Sequence, residues 1–188
     1  VNNQQELIFR QLLTLRDGAR VLLRPLVPED KQALLNLFST VTSEERRSMR
    51  TDVRNPSLVE GWVDSIDYNT VLPLVAVVGE RIVGDATLRF GHGPARHRAE
   101  VRIFLAKDFR TRGLGNRMLQ ALIEIAKKRD LLILEAEILQ DQPSFIKAFQ
   151  TQGFQTEAML QDYFMAPDGE MCAVVKMILR LRTPNDEF

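Results

Sequence analysis

Ten residues separate a carboxylate, Glu100, from a basic, glycine-bearing loop in the stretch AEVRIFLAKDFRTRGLGNRML, residues 99–119. The loop carries Lys107, Arg110, Arg112 and Arg117 around Gly113 and Gly115. An alternating run leads into it, and a helical pattern starts directly after it. Glycines let a backbone approach a ligand closely. The unpaired N–H groups of a first helical turn, aligned with the macrodipole, then make a seat for an anion. In a chain without net charge, such a local basic cluster points to a phosphate-bearing ligand, a pyrophosphate best of all. The competing reading is an ordinary glycine-containing loop with solvated arginines, and these residues alone leave both open. Glu100 shares a strand face with Arg102 and Phe104 by the period of two. It is the first candidate for proton transfer, against the reading of an exposed residue paired with Arg98 or Arg102. Glu135 and Glu137, on one face of a later strand, are the reserve carboxylates, with a solvated face as their competing reading.

The elements that must position these groups follow from periodicity and punctuation. Leu7, Ile8, Leu12 and Leu15 have the spacing of a short first helix, and Asp17-Gly18 marks a turn. Val21 to Leu26 reads as a strand stopped by Pro25 and Pro28. PEDKQALLNLFS follows as a helix with an acidic first turn. Thr42 with Glu45 and Ser57 with Glu60 are capping-box pairs, which predict short helices near residues 43–49 and 58–64. Residues 74–78 and 81–90 are strands around a Gly79-Glu80 hairpin turn, Gly91 to His97 is a loop, and 99–105 is a further strand. Leu114 to Arg129 is helical, LLILEAEIL is a strand, and a short helix begins at Pro143. Two last strands, 159–165 and 171–181, flank the turn APDGE. This order predicts an α/β protein with a mixed sheet and helices on its faces.

Composition narrows the function. The 188 residues suit one domain, with residues 1–15 as a helical extension. Twenty-five Lys and Arg balance 25 Asp and Glu, which argues against a nucleic-acid partner. Cys172 is the single cysteine, so neither an internal disulfide nor a CxxC motif exists. His92 and His97 leave little material for a metal site. The longest uncharged apolar run, 71–78, is far too short to span a bilayer. VNNQQELIFRQLL lacks the charged start and apolar block of a signal peptide. A soluble, cytoplasmic domain is the expectation.

Three phosphate-binding patterns compete for the loop. A P-loop requires GK[ST], but Gly115-Asn116-Arg117 stands here. A dinucleotide fingerprint requires a small third residue and a turn directly after the strand. Met118 occupies that position, and the strand ends near Leu105. Arg110-x-x-Gly113-x-Gly115, between a strand and a helix, instead resembles the pyrophosphate-binding signature of the GNAT superfamily of acyl-CoA-dependent N-acetyltransferases. The element order resembles that family's from about Arg16 onward, and QTQGF at 150–154 is similar to its usual segment before the penultimate strand. The opening DGARVLLRPLVPED resembles bacterial GNAT domains that acetylate protein lysines.

The resemblance implies a mostly antiparallel GNAT sheet with helices on both faces, and acetyl-CoA as cosubstrate with no metal. Amides of Arg110, Thr111, Arg112, Gly113, Leu114 and Gly115, with Asn116 following, would hold the pyrophosphate. The pantetheine arm would run beside the strand end at Phe104 and Leu105. A backbone amide there, that of Leu105 foremost, would polarise the thioester carbonyl. Gln142 would hydrogen-bond cofactor or substrate. An amine of pKa about 10.4 is mostly ammonium at pH 7 and cannot attack. Glu100 would take its proton, directly or through one water. Phe149 stands where many family members carry a tyrosine acid, which leaves solvent or Tyr163 as proton donor. The implied partner is an amine acceptor, protein or small molecule. A homodimer is allowed for, and neither nucleic acid nor membrane is implied. The alternative is a GNAT-fold module that binds acyl-CoA as a regulator without turnover.

Overall fold

The computed structural model describes residues 9–181. Its strands are β1 (Gln11–Thr14), β2 (Arg20–Pro25), β3 (Val71–Val78), β4 (Arg81–Phe90), β5 (Arg98–Leu105), β6 (Ile133–Leu139), β7 (Gln155–Met165) and β8 (Met171–Arg180). The helices are α1 (Lys31–Ser39), α2 (Pro56–Asp64), α3 (Leu114–Lys128) and α4 (Pro143–Thr151). The strands form one eight-stranded sheet in the order β1-β2-β3-β4-β5-β6-β8-β7. Every neighbouring pair is antiparallel except β5 and β6, which are parallel. This is the mixed sheet that the sequence predicts. Among the described residues, no helix is long and apolar enough to cross a membrane.

Cross-strand register sorts the two faces. Leu23, Ala76, Gly84 and Leu105 form one row across β2 to β5, and Arg24, Val75, Asp85 and Phe104 form the next. Adjacent rows face opposite sides. The first row meets α3: a Cβ on Gly84 would stand 2.8 Å from Leu105 Cδ2 and 2.9 Å from Met118 Sδ. Only glycine lets helix and strand approach so closely. The second row meets α1, whose Phe38 ring lies 5.9 Å from that of Phe104 and 6.4 Å from that of Trp62. Leu114, Met118, Leu119, Leu122 and Ile125 on α3 are all buried, so its apolar stripe is spent on the sheet.

Several elements differ from the sequence prediction. Residues 11–14 are a strand rather than part of a helix, antiparallel to β2. Leu13 is 1% exposed and Leu12 is 64% exposed, the alternation of a half-buried strand. Leu12 and Leu15 fit a helical period too, and pairing with β2 across the Gly18 turn decides between them. The rest of the expected helical extension, residues 1–8, lies outside the described residues. The expected helix near 43–49 is a single 3₁₀ turn, Glu45–Ser48, although its capping box forms: Thr42 N–H donates to Glu45 Oε2 (2.8 Å) and Glu45 N–H to Thr42 Oγ1 (3.3 Å). Helix α2 starts earlier than expected, with Pro56 in its first turn and Asn55 as its cap in place of Ser57. Strand β3 begins at Val71 and contains Pro73. That proline is tolerated because its carbonyl still accepts from the Leu26 N–H (2.9 Å), while the Leu26 carbonyl takes the Tyr68 hydroxyl (2.6 Å) in place of the missing N–H.

Candidate active site

A notch opens between β5 and β6. Their register holds for three pairs only, from Arg98↔Ile133 to Glu100↔Glu135. Beyond it β5 stays paired to β4 as far as Leu105. Peptide groups alternate in direction along a strand. Arg98 accepts from Gly91 N–H and Ala106 donates to Val83 O, so the even residues point toward β4. The Val101 N–H completes the pairing at Glu135, so the Val101 C=O and the N–H and C=O groups of Ile103 and Leu105 point into the notch, with no strand beside them. Phe104 directs its own N–H to β4 and contributes its ring to the α1 face.

The phosphate-loop candidates lie at the open end of this edge. Gly113 is the N-cap of α3 at φ +85°, and no side chain caps the helix. The first helical N–H bond runs from Arg117 to Gly113 O (3.2 Å), which leaves the amides of Leu114, Gly115 and Asn116 without helical acceptors. Leu114 is fully buried and packs into the core. A Cβ on Gly115 would stand 3.3 Å from Leu105 Cδ1, so the loop packs against the notch edge. Thr111 adopts φ +58°, a left-handed conformation that a β-branched residue rarely takes. Its hydroxyl donates to Arg110 O (2.7 Å). The Arg110 guanidinium donates twice to Leu105 O, from Nε (3.0 Å) and Nη2 (2.8 Å). It also pairs with Glu45 (2.5 Å), the capping residue of the turn after α1. Arg112 is held by Asp17 and lies 4.2 Å from the Phe109 ring centroid. Arg110 and Arg112 are thus already engaged, and Lys107 and Arg117 are the loop cations without a carboxylate partner among the described residues.

Glu100 lies at the closed end. Arg102 grips both its oxygens, Nε to Oε1 at 3.0 Å and Nη2 to Oε2 at 2.9 Å. Arg50 adds a longer contact to Oε1 at 3.4 Å. Burial alone would raise the Glu100 pKa, but these guanidiniums outweigh it and hold the carboxyl below its ordinary value. Arg50 also bonds Glu137 (2.7 Å), while Lys176 and Arg98 reach Glu135 at 3.2 and 3.3 Å. All three carboxylates that the sequence singles out belong to one ion-pair network. Five residues along an extended strand separate Glu100 from Leu105, roughly 16 Å.

Arg50 carries no local signal in the sequence, since its partners lie 50 and 87 residues away. Asp85 does have one: it interrupts the apolar run RIVGDATL on β4. Burial pushes its carboxyl up to about 7, against a weak bond from the Thr87 hydroxyl at 3.3 Å. Gln142 lies at the start of α4, where its backbone N–H donates to Leu139 O (3.1 Å) and its carbonyl accepts from Phe145 and Ile146. No contact joins its side chain to the loop. Phe149 is 2% exposed and packs on Phe145 and Phe154, so the ring at the expected tyrosine position belongs to the core. Tyr163 is half exposed and stacks on Phe164, whose ring lies 3.9 Å beneath Arg50. Among the described residues, no cluster of three or more His, Cys, Asp or Glu could hold a metal.

The fold recurs in known proteins. The chain resembles the GNAT domain of Streptomyces lividans PAT at 20% identity, with a TM-score of 0.74 over 91% of this chain and 96% of that one. It resembles yncA from Salmonella typhimurium, solved with its cofactor acetyl-CoA, at 17% identity and a TM-score of 0.74, over 86% and 94% of the two chains. It is similar also to ribosomal-protein-alanine N-acetyltransferase from Brucella melitensis, at 22% identity and a TM-score of 0.69, over 84% and 98%. The acetyltransferase (GNAT) family model matches residues 34–154, more than half of the chain, from within α1 to just past α4. The protein belongs to the GNAT family and is an acetyl-CoA-dependent N-acetyltransferase.

Proposed function

We propose that this enzyme acetylates a primary amine on a protein, a lysine side chain or an N-terminus, and that the notch between β5 and β6 is where the acetyl group is presented. The observation that carries this reading is the free peptide edge of β5 ending against the uncapped start of α3. Bound acetyl-CoA would supply an activated acetyl group on a good leaving thiolate. The amides of residues 110–115 and Asn116 would take its pyrophosphate. The Ile103 and Leu105 peptide groups would pair with the pantetheine arm, and the Leu105 N–H would steady charge on the carbonyl oxygen. Pairing along that edge requires Arg110 to give up Leu105 O. Gln142 would meet the cofactor or the acceptor from the start of α4.

Glu100 is the catalytic carboxylate toward the acceptor. It is ionised at neutral pH because Arg102 and Arg50 hold it so, and an ionised carboxylate draws an ammonium. The B. melitensis likeness supports a protein acceptor by its name. The acidic residues of the network lie on a sheet face rather than in a closed pocket, which suits a side chain presented from a larger surface.

Thiol release from acetyl-CoA tests the reading, with lysine peptides, free N-terminal peptides and small polyamines as acceptors. Preferred turnover of peptides supports it. Preferred turnover of a polyamine moves the acceptor to small molecules. Cofactor binding without release from any amine favours a regulatory acyl-CoA-binding module instead.

A further inference from the structure

The three ion-paired glutamates leave open which group receives the acceptor's proton. A proton acceptor needs an uncommitted lone pair, a pKa near the working pH, and a place near the reacting carbonyl. Glu100 has both oxygens gripped by Arg102, a lowered pKa, and roughly 16 Å of extended strand between it and Leu105. Asp85 differs on all three counts. It stands directly opposite Phe104 in the β4–β5 register, one residue from Leu105. Its one side-chain partner is the Thr87 hydroxyl at 3.3 Å. The residue as a whole is half-buried, and burial of its carboxyl is what raises its pKa.

The charged groups around Asp85 are all otherwise occupied. On β2, two strands away in the same row, Arg24 is clamped to Asp30. On α1 above the row, Lys31 pairs with Asp64 of α2. On β5, Arg102 turns to Glu100, and Glu100 itself lies beyond it. Arg110, 5.6 Å from the Phe104 centroid, is bound to Leu105 O and Glu45. On β4 itself, Arg81 is paired with Asp108, and Arg89 is exposed at the far end of the strand. Val75 and Phe104 are the walls on either side. Among the described residues no cation holds the Asp85 carboxylate, so its basicity is set by burial.

We propose that Asp85 is the proton acceptor of the transfer, reached through water along the Phe104 side of β5, while Glu100 draws the ammonium in. This inference rests on the function proposed above. The ammonium gives one proton to the Asp85 carboxylate and becomes the free amine. The amine nitrogen then bonds to the acetyl carbon, the carbon–sulfur bond breaks, and the thiolate leaves with the electron pair. The second nitrogen proton goes to the thiolate, and Asp85 returns its proton to solvent. A carboxylate near 7 is ~10³-fold more basic than an ordinary aspartate, which brings it within a few units of the amine.

The test uses Asp85→Asn, which matches the protonated acid in shape, and Asp85→Glu as the variant that keeps the carboxyl. Carboxyl-carbon NMR of aspartate-labelled wild type should show one group titrating near 7, absent from Asp85→Asn. With the best peptide acceptor, wild-type kcat/KM should carry an inflection near that pH. Asp85→Asn should lose the inflection and fall ~10²–10³-fold at pH 7, with calorimetric acetyl-CoA affinity within about twofold. Asp85→Glu should restore the inflection in part, and Glu100→Gln should keep it while raising KM for the amine. An inflection that persists in Asp85→Asn, or a uniform loss across pH in both variants, overturns the assignment. No turnover by wild type with any amine overturns the proposed function and this role with it. Turnover unchanged in Asp85→Asn overturns this role alone.

Discussion

Gly115→Asp puts a carboxylate into the first turn of α3, where the structure makes both its steric and its electrostatic cost calculable. A Cβ at this position meets one neighbour, Leu105 Cδ1 at 3.3 Å, and the Leu105 side chain can yield by a few tenths of an ångström. Position 115 also lacks a positive φ, so no conformational strain is added. Gly115→Ala should therefore change CoA affinity by about threefold or less. The aspartate adds a unit negative charge beside amides proposed to hold a pyrophosphate. Two unit charges about 5 Å apart at an effective dielectric of about 20 repel by about 3 kcal/mol, which is ~10²-fold in Kd. Added salt should narrow the gap between the two variants, since screening acts on the charge and not on the methyl group. Calorimetry with CoA measures both variants, with circular dichroism and thermal melting as the check on folding. A folded Gly115→Asp that binds CoA as tightly as Gly115→Ala would refute the seat at the α3 N-terminus.

Gly113→Ala should cost about 1–2 kcal/mol from φ +85° alone, since nothing lies within 4 Å of the new Cβ, and calorimetric Tm should drop ~2–8 °C. Removing the 3′-phosphate from CoA, or raising salt, should weaken binding through Lys107 and Arg117, while equal affinity for CoA and pantetheine would show that the basic loop is not the anchor. Asp30 is 8% exposed and takes two bonds from Arg24 and one from the Val27 N–H, so Asp30→Ala should destabilise by about 3 kcal/mol in urea unfolding. Burial would raise the Asp30 pKa, but Arg24 and the Val27 amide prevail and lower it below 3.8. Its contribution is therefore present above that ordinary value and lost as pH falls through the lower folded one, so the gap between wild type and Asp30→Ala should close on acidification.

How much of the site was legible in the sequence depended on the range of the interaction. The run from Gly113 into α3 is local chemistry: a left-handed glycine, then a helix whose apolar stripe repeats at i, i+4, i+8. Its place against Leu105 followed from strand and loop being neighbours in the chain. Residues 11–14 were misread because Leu12 and Leu15 have a helical spacing, while Leu13 and Leu15 have the period of two of a strand. The partner that chooses between them, β2, lies across a turn. Arg50 was invisible because its meaning comes from Glu100 and Glu137, which only the fold brings within reach. Phe149 is visible in the sequence, but its burial against Phe145 and Phe154 comes from the packing of α4. Asp85 was overlooked although a carboxylate within an apolar strand is a visible anomaly. Burial without a cation, which gives it its basicity, is a tertiary property.

The parting of β5 from β6 also has a bearing on self-association. A bare strand edge at the margin of a sheet invites another chain to pair with it. This edge is interior, flanked by sheet on both sides and closing to ordinary strand spacing, ~4.8 Å, at Glu100 and Glu135. A polypeptide entering it would have to lodge a side chain above or below the sheet at every residue, among α1, α3 and the paired arginines. The β-alanine and cysteamine part of a pantetheine arm carries amide groups and no side chains, so it would meet the same row of donors and acceptors without that obstruction. The notch therefore acts as a gauge: it offers backbone hydrogen bonding to a slender ligand and withholds it from a second protein strand.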